Sequence, residues 1–244
     1  MPEPKAAIII PTYNEKSNIG LLIAAVFKIL PKVLVVVVDD SSPDQTAQEV
    51  KRLQKRYKNL RLIVNKNKAG RGQAVWLGFK DVFTHTQTQI FVEMDADFSH
   101  RPQELSALIK KVKAKTAVFA SRYLPESVIP DWPLSRRIFS FLANKTIGLV
   151  LSLPLKDNTN GYRAYSRSAI RIILEKPLIC KSYLLLSEVA LILHHENFIL
   201  KETPSVFPNR KRGKSNTNWH EILHNLIELT KLKFFYQDKF FNHE

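Results

Sequence analysis

Glu93, Asp95 and Asp97 fall on alternate positions of the stretch FVEMDADFSHRP, Phe91 to Pro102, directly after an apolar run of strand character. A strand repeats every two residues, so Asp95 and Asp97 share one side if the strand continues and flank a turn if it stops at Met94. Two carboxylates meet at one point in either case. Hard oxygen ligands at this spacing suit Mg²⁺ or Mn²⁺, ions usually held by one or two carboxylates together with substrate phosphates. A D-x-D pair alone is common in surface turns; its place at the end of a buried strand singles this one out as a candidate metal site.

Four other stretches imitate chemistry. AGRGQA, Ala69 to Ala74, sets two glycines at a helix start, where main-chain N–H groups can face a phosphate; the plainer expectation is a turn. GKS at Gly213 to Ser215 copies the end of a P-loop, but the first glycine of that motif would fall at Pro208, which has no N–H. HEILH, His220 to His224, matches a zinc-peptidase helix, yet only Glu228, Asp238 and Glu244 follow it as third-ligand carboxylates, none convincingly placed. NKT, Asn144 to Thr146, has the form of a glycosylation sequon and lies in an expected helix.

The elements that would position these acids alternate along the first half. AAIIIP, KVLVVVVDD, LRLIVN, QIFVEMDAD and TAVFAS read as strands, separated by amphipathic helical stretches. Val/Ile-rich runs in such an alternation predict βαβ units and a buried, Rossmann-like, mainly parallel α/β sheet flanked by helices. Three strands end in polar or acidic residues, at Thr12 to Glu15, Asp39 with Asp40, and Asp95 with Asp97. Ligands of open α/β sheets sit outside the carboxyl ends of the strands, so these tips are expected to line one crevice. From Trp132 the chain turns to WPLSRRIFSFLANKTIGLVLSLPL, helical in spacing and either a core helix or an interfacial one that touches lipid. A turn-rich DNTNGYRAYS follows, then helices around Arg167 to Leu174 and Ser187 to His195, a basic loop, and a last amphipathic helix near Trp219 to Tyr236.

The chain has 244 residues, 45% of them hydrophobic, enough for one sizeable domain. Its 37 Lys+Arg against 22 Asp+Glu give a formal charge of +15, which favours anionic partners: phosphates, nucleic acid or an acidic membrane face. The only cysteine, Cys180, excludes an intrachain disulfide and points to a reducing, cytoplasmic compartment. No apolar run approaches the ~18 residues of a membrane span, so a soluble or peripheral protein is expected.

PTYNE (Pro11 to Glu15), VDDSSPDQT (Val38 to Thr46), MDADFSHRP (Met94 to Pro102), SRY (Ser121 to Tyr123), DNTNGYR (Asp157 to Arg163) and FPNRKRGKS (Phe207 to Ser215) occur in the order found in family-2, GT-A type glycosyltransferases. The set resembles the dolichyl-phosphate (polyprenyl-phosphate) mannosyltransferases. That resemblance implies a single domain over 1–244, with a nucleotide-sugar-binding half at 1–125 and an acceptor- and membrane-facing half at 126–244. It also implies a nucleotide-sugar donor, Mg²⁺ or Mn²⁺, and a polyprenyl phosphate acceptor. Pro11, Tyr13, Glu15, Val37, Asp39, Asp95, Ala96 and Asp97 match positions that hold the donor, with the metal on Asp95 and Asp97. Arg122, Arg136, Arg163 and Arg210, with Lys214 and Ser215, match or neighbour the positions expected around the acceptor phosphate, and Asp97, Arg122 and Arg210 are the implied catalytic set. Three positions depart from the family: Asn216 stands where Lys is usual, Gln45 where Gly is usual, and Asn160 and Tyr162 alter the S-G-F-R motif.

The implied reaction is inverting attack of a phosphate oxygen on the anomeric carbon. An anionic acceptor needs no general base. This fits the absence of the Glu-Asp pair of hydroxyl-accepting relatives, since Glu188 is followed by Val189. Mannose from GDP-mannose is the expected donor, with UDP-glucose or another nucleotide-sugar as the alternative. A separate membrane subunit is compatible with a chain that carries no span. A non-catalytic lipid-phosphate-binding or nucleic-acid-binding protein is the competing class; no nucleic-acid module is recognisable, and two acids at a phosphate-facing site repel nucleic acid.

Overall fold

The computed structural model describes residues 4–66, 68–180, 184–208 and 227–236. Seven strands form one sheet: β1 (Ala6–Thr12), β2 (Leu34–Asp39), β3 (Leu60–Val64), β4 (Ile90–Glu93), β5 (Thr116–Ser121), β6 (Arg163–Ser166) and β7 (Ile199–Pro204). Their order is β3-β2-β1-β4-β6-β5-β7. All neighbours run parallel except β6, which is antiparallel to both β4 and β5. The register aligns Thr12 with Asp39, so the tips of β1 and β2 end level with each other.

Both faces of the sheet are covered, which explains the unbroken Val/Ile runs. On one face Ile8, Ile10, Val35 and Val37 pack against α1 (Lys16–Ile29), α2 (Thr46–Gln54) and α4 (Leu105–Lys110). Ile9, Val36 and Val38 face the other way, into a cluster with α3 (Arg71–His85), α6 (Arg167–Glu175) and α7 (Leu185–His195). The packing of α3 on β1 needs Gly78: a Cβ there would lie 2.5 Å from Ile9 Cγ2.

Strand β6 lies in the stretch expected to be turn-rich, and β7 was not expected at all. Neither has the signature of a buried strand. The four residues RAYS of β6 include a cation and two hydroxyls, and β7 is a half-exposed edge strand that ends at Pro204, where a missing N–H costs no ladder bond. The expected helix after Trp132 is α5 (Leu134–Leu151). Only Asn144, Ile147 and Leu151 of it are buried, while Leu134, Ile138, Phe139, Phe141, Leu142 and Leu149 are exposed, so the core-helix alternative holds for its C-terminal third alone. Residues 227–236 are helical and bury Leu229, Leu232 and Tyr236 in the α3/α6/α7 cluster.

Candidate active site at the strand tips

β4 stops at Glu93, so Asp95 and Asp97 flank a turn instead of sharing a strand face. Asp97 Oδ1 accepts hydrogen bonds from the Ser99 N–H (3.0 Å) and Ser99 Oγ (2.6 Å), which hold the turn closed. Glu93 points into the sheet: Oε1 accepts from Tyr165 OH (2.7 Å) and Oε2 from Arg71 Nη1 (3.2 Å).

Arg71 is the cation that sequence reasoning missed. Its Nε donates to Asp95 Oδ1 (2.8 Å) and its Nη2 to the Gly161 carbonyl (3.3 Å). Burial opposes its charge, but Asp95 and Glu93 outweigh burial and raise its pKa further. The available signal was its place as the middle residue of G-R-G at the start of α3, where a side chain can turn toward neighbouring strand tips. The two glycine-region N–H groups do not await a phosphate: Ala69 and Gly70 donate to the buried carboxylate of Asp40 (3.1 and 2.8 Å), which also accepts from Asn65.

His100 was also missed. It is buried, stacked on Tyr162 (centroids 4.8 Å apart), and its Nδ1 accepts the main-chain N–H of Asp95 (2.9 Å). Burial lowers its pKa, Asp95 pulls the other way, and Arg71 adds to the lowering.

At the neighbouring tips, Asp39 is buried and accepts from Thr12 Oγ1, Ser42 N–H and Ser42 Oγ (2.9, 3.0 and 2.6 Å). Tyr13 is exposed, with Lys68 Nζ 3.7 Å from its ring centre, and Glu15 accepts from Asn18 Nδ2 (2.7 Å). Pro11, Ala96 and Val37 are buried. The Val37 side chain is closed into the core two residues short of the strand tip, which leaves its main chain as the part that a nucleotide could meet. Gln45, at the usual glycine position, adopts φ 68° and accepts a bond from Lys16 Nζ, so the departure keeps the left-handed backbone that glycine favours.

Arg163 is a correction. It is fully buried, and its guanidinium donates to the carbonyls of Asn160 (2.7 Å), Asn158 (2.9 Å) and Leu186. It ties the 158–160 turn to the start of α7 and cannot reach an acceptor phosphate. Arg122 is held in a fork on buried Asp157, with Nε on Oδ2 and Nη2 on Oδ1, both at 2.7 Å. Burial disfavours the Asp157 anion, but Arg122 and its hydrogen bonds win and keep that carboxyl below its ordinary value. Arg136 lies over the Trp132 ring at 3.7 Å, and Arg122 is 5.7 Å from the same ring centre, so the two guanidinium groups share one aromatic platform. Arg210, Lys214, Ser215, Asn216 and HEILH lie outside the described residues.

Glu188 is buried and fully engaged, accepting from the Ile179 and Cys180 N–H groups (2.8 and 2.9 Å) and from Tyr236 OH (2.9 Å). Among the described residues no group of three or more His, Cys, Asp or Glu side chains is placed to hold a metal. A D-x-D pair supplying one or two carboxylates, with phosphates completing the shell, is the donor set that fits Mg²⁺ or Mn²⁺, and Arg71 already compensates the acid behind it.

Comparison with known proteins bears on the family and the fold. The family described as Glycosyl transferase family 2 matches residues 7–174. The chain is 34% identical over 223 residues to polyprenol monophosphomannose synthase of Mycolicibacterium smegmatis, covering 91% of this chain and 84% of that protein. It is 30% identical over 223 residues to undecaprenyl-phosphate mannosyltransferase of Micrococcus luteus, covering 91% of each. Among solved structures, a mannosyltransferase from Pyrobaculum calidifontis in complex with GDP-Man and Mn²⁺ superposes with TM-score 0.63 at 18% identity, over 97% of this chain and 65% of that one. Glucosyl-3-phosphoglycerate synthase from Mycobacterium tuberculosis, bound to Mn²⁺ and UDP, gives TM-score 0.66 at 16% identity, over 95% of this chain and 80% of that one. At such identities these two structures speak for the fold. With more than half of its length matched by the family, and strand tips that carry the D-x-D turn, this chain belongs to glycosyl transferase family 2 and is a glycosyltransferase.

Proposed function

We propose that this glycosyltransferase moves mannose from GDP-mannose to a polyprenyl monophosphate with inversion, at the cytosolic face of a membrane. The observation that carries the reading is the 34% identity, over nine-tenths of the chain, to a polyprenol monophosphomannose synthase. In the transfer an acceptor phosphate oxygen forms the bond to the anomeric carbon. The bond from that carbon to the diphosphate oxygen breaks, and GDP leaves with the electron pair. Asp95 and Asp97 are the residues that would hold Mg²⁺ or Mn²⁺, which when bound supplies Lewis-acid neutralisation of the leaving diphosphate.

The chain's own residues supply the rest. Asp39, Tyr13 and Glu15 stand at the level strand tips where a nucleotide binds in α/β sheets. Arg71 offsets part of the negative charge of Glu93 and Asp95, which lowers the repulsion that a diphosphate would meet there. A phosphate monoester, with its second pKa near ~6, arrives already ionised and needs no base. Glu188 is accordingly spent on structure. Arg122 and Arg136 at the Trp132 platform, with Arg210 and Lys214, are the cations assigned to the acceptor.

No helix of the described residues is long and apolar enough to cross a membrane. The exposed apolar residues of α5, with Leu134 at 72% and Leu149 at 71% exposure and Arg137 and Lys145 among them, fit a helix lying in the headgroup layer. Anionic lipid adds ~1 kcal/mol per well-placed Lys or Arg.

The test is transfer of labelled sugar from GDP-mannose, and in parallel UDP-glucose, to a short polyprenyl phosphate with Mn²⁺ or Mg²⁺, using the chain alone and Asp97→Ala as control. A mannosyl lipid phosphate that requires Asp97 is the expected product, and shows that no separate membrane subunit is needed. A glucosyl product, or none from folded protein, overturns the donor assignment or the reading.

A further inference from the structure

His100 has no assigned part in the transfer, yet it is bonded into the D-x-D turn. Its Nδ1 accepts the Asp95 N–H at 2.9 Å, so Nδ1 carries no proton and the neutral ring bears it on Nε2. That Nε2 is buried with no hydrogen-bond partner. A buried donor left unmade is costly and rare in native structures. It lies 3.7 Å from Asp95 Oδ2, beyond hydrogen-bond range but with the carboxylate as its near neighbour. On the opposite side Arg71 Nε holds Asp95 Oδ1 at 2.8 Å. The ring cannot swing away: Tyr162 stacks on it with planes 9° apart, and Phe207 meets it edge-on at 5.7 Å.

We propose that His100 is a positioning residue for Asp95: Nδ1 fixes the main chain of the turn, and Nε2–H takes up the Oδ2 side of the carboxylate when a divalent ion and donor diphosphate draw Asp95 into place. This rests on the reading of Asp95 as a metal-holding residue of the donor site. A shift of under about 1 Å brings 3.7 Å into hydrogen-bond range. The orphaned donor is thereby explained as a bond completed in the loaded site.

The three variants separate the two nitrogens. His100→Asn places an amide oxygen near the Nδ1 position and keeps the acceptor for Asp95 N–H; His100→Gln keeps a donor near Nε2; His100→Phe keeps only the stack on Tyr162. Mn²⁺ binding is read by electron paramagnetic resonance with and without GDP, donor binding by calorimetry, and folding by thermal melting. Outer partners of metal ligands typically change affinity 10- to 100-fold. The expected order of Mn²⁺ affinity with GDP present is wild type, then Asn and Gln roughly tenfold weaker, then Phe weaker still. In turnover, the KM for Mn²⁺ rises more than kcat at saturating Mn²⁺ falls. Equal Mn²⁺ affinity in wild type and folded Asn or Phe variants overturns the inference, as does loss confined to melting temperature. If wild type binds neither Mn²⁺ nor GDP, the reading of the donor site itself fails.

Discussion

Gly161 faces the guanidinium of Arg71 so closely that a Cβ on Gly161 would lie 2.2 Å from Nη2 and 2.8 Å from Cζ. Absence of a side chain at one residue is what lets the other reach Glu93 and Asp95 from α3. Gly161→Ala should therefore displace the guanidinium without removing its charge. The expected result is a loss of transfer activity of at least tenfold, about 1.4 kcal/mol in transition-state terms, because a small displacement of positioning groups is costly. Arg71→Lys, which keeps the charge but not the fork, should lose activity similarly. Steady-state kinetics of both variants against wild type checks this, with circular dichroism to show that they are folded.

The Arg122–Asp157 pair predicts a stability effect with a pH signature. Asp157→Asn leaves Arg122 buried without its anion, and breaking such a pair costs about 3 kcal/mol or somewhat more. A fall in melting temperature of roughly 10 °C follows for a chain of this size. The folded carboxyl of Asp157 is depressed, so its contribution is fully present above the unfolded value near ~4 and is lost as pH falls through the folded value. The gap between wild type and Asp157→Asn should stay constant from about pH 7 to 5 and close as pH drops below ~4. Melting curves over that range decide it.

Tyr236 and Phe234 sit two residues apart on one helix and should behave oppositely. Tyr236→Phe removes a buried bond to the Glu188 carboxylate and should cost about 1.5 kcal/mol of stability. Phe234 and Phe235 are 64% and 39% exposed, so their change to Ser should alter stability by no more than ~0.5 kcal/mol. Denaturant titration of the three variants tests the contrast. Phe240 and Phe241 lie outside the described residues.

Replacing Ile138, Leu142 and Leu149 together by Ser should abolish flotation with anionic liposomes and leave the melting temperature nearly unchanged, since all three are exposed. Retained flotation would assign lipid contact to another surface. A large drop in melting temperature would mark the stripe as packed.

Much of this was legible in the sequence for a physical reason. β1 and β2 are buried on both faces and must be written in Val and Ile, and the D-x-D follows such a run at a strand tip where ligands collect. Arg163 was misjudged because a cation in NGYR looks like a surface charge; nothing local reveals that carbonyls from Asn158, Asn160 and Leu186 converge on it. Arg71 and His100 were missed for the same reason. Their meaning lies in partners brought together by the fold, with Arg71 over 20 residues from both Glu93 and Asp95 in the chain.

β6 enters the sheet between β4 and β5, although both precede it in the chain. As the nascent chain leaves the ribosome, these two strands are made first and each exposes an open edge until residues 163–166 emerge. The whole of α5, with its apolar surface, is synthesised during that interval. Unpaired edges and exposed apolar helices are what draw misassociation. Biogenesis of this enzyme therefore has a vulnerable window between the completion of β5 and the arrival of β6, and slowing translation there should lower the yield of active protein more than slowing it elsewhere.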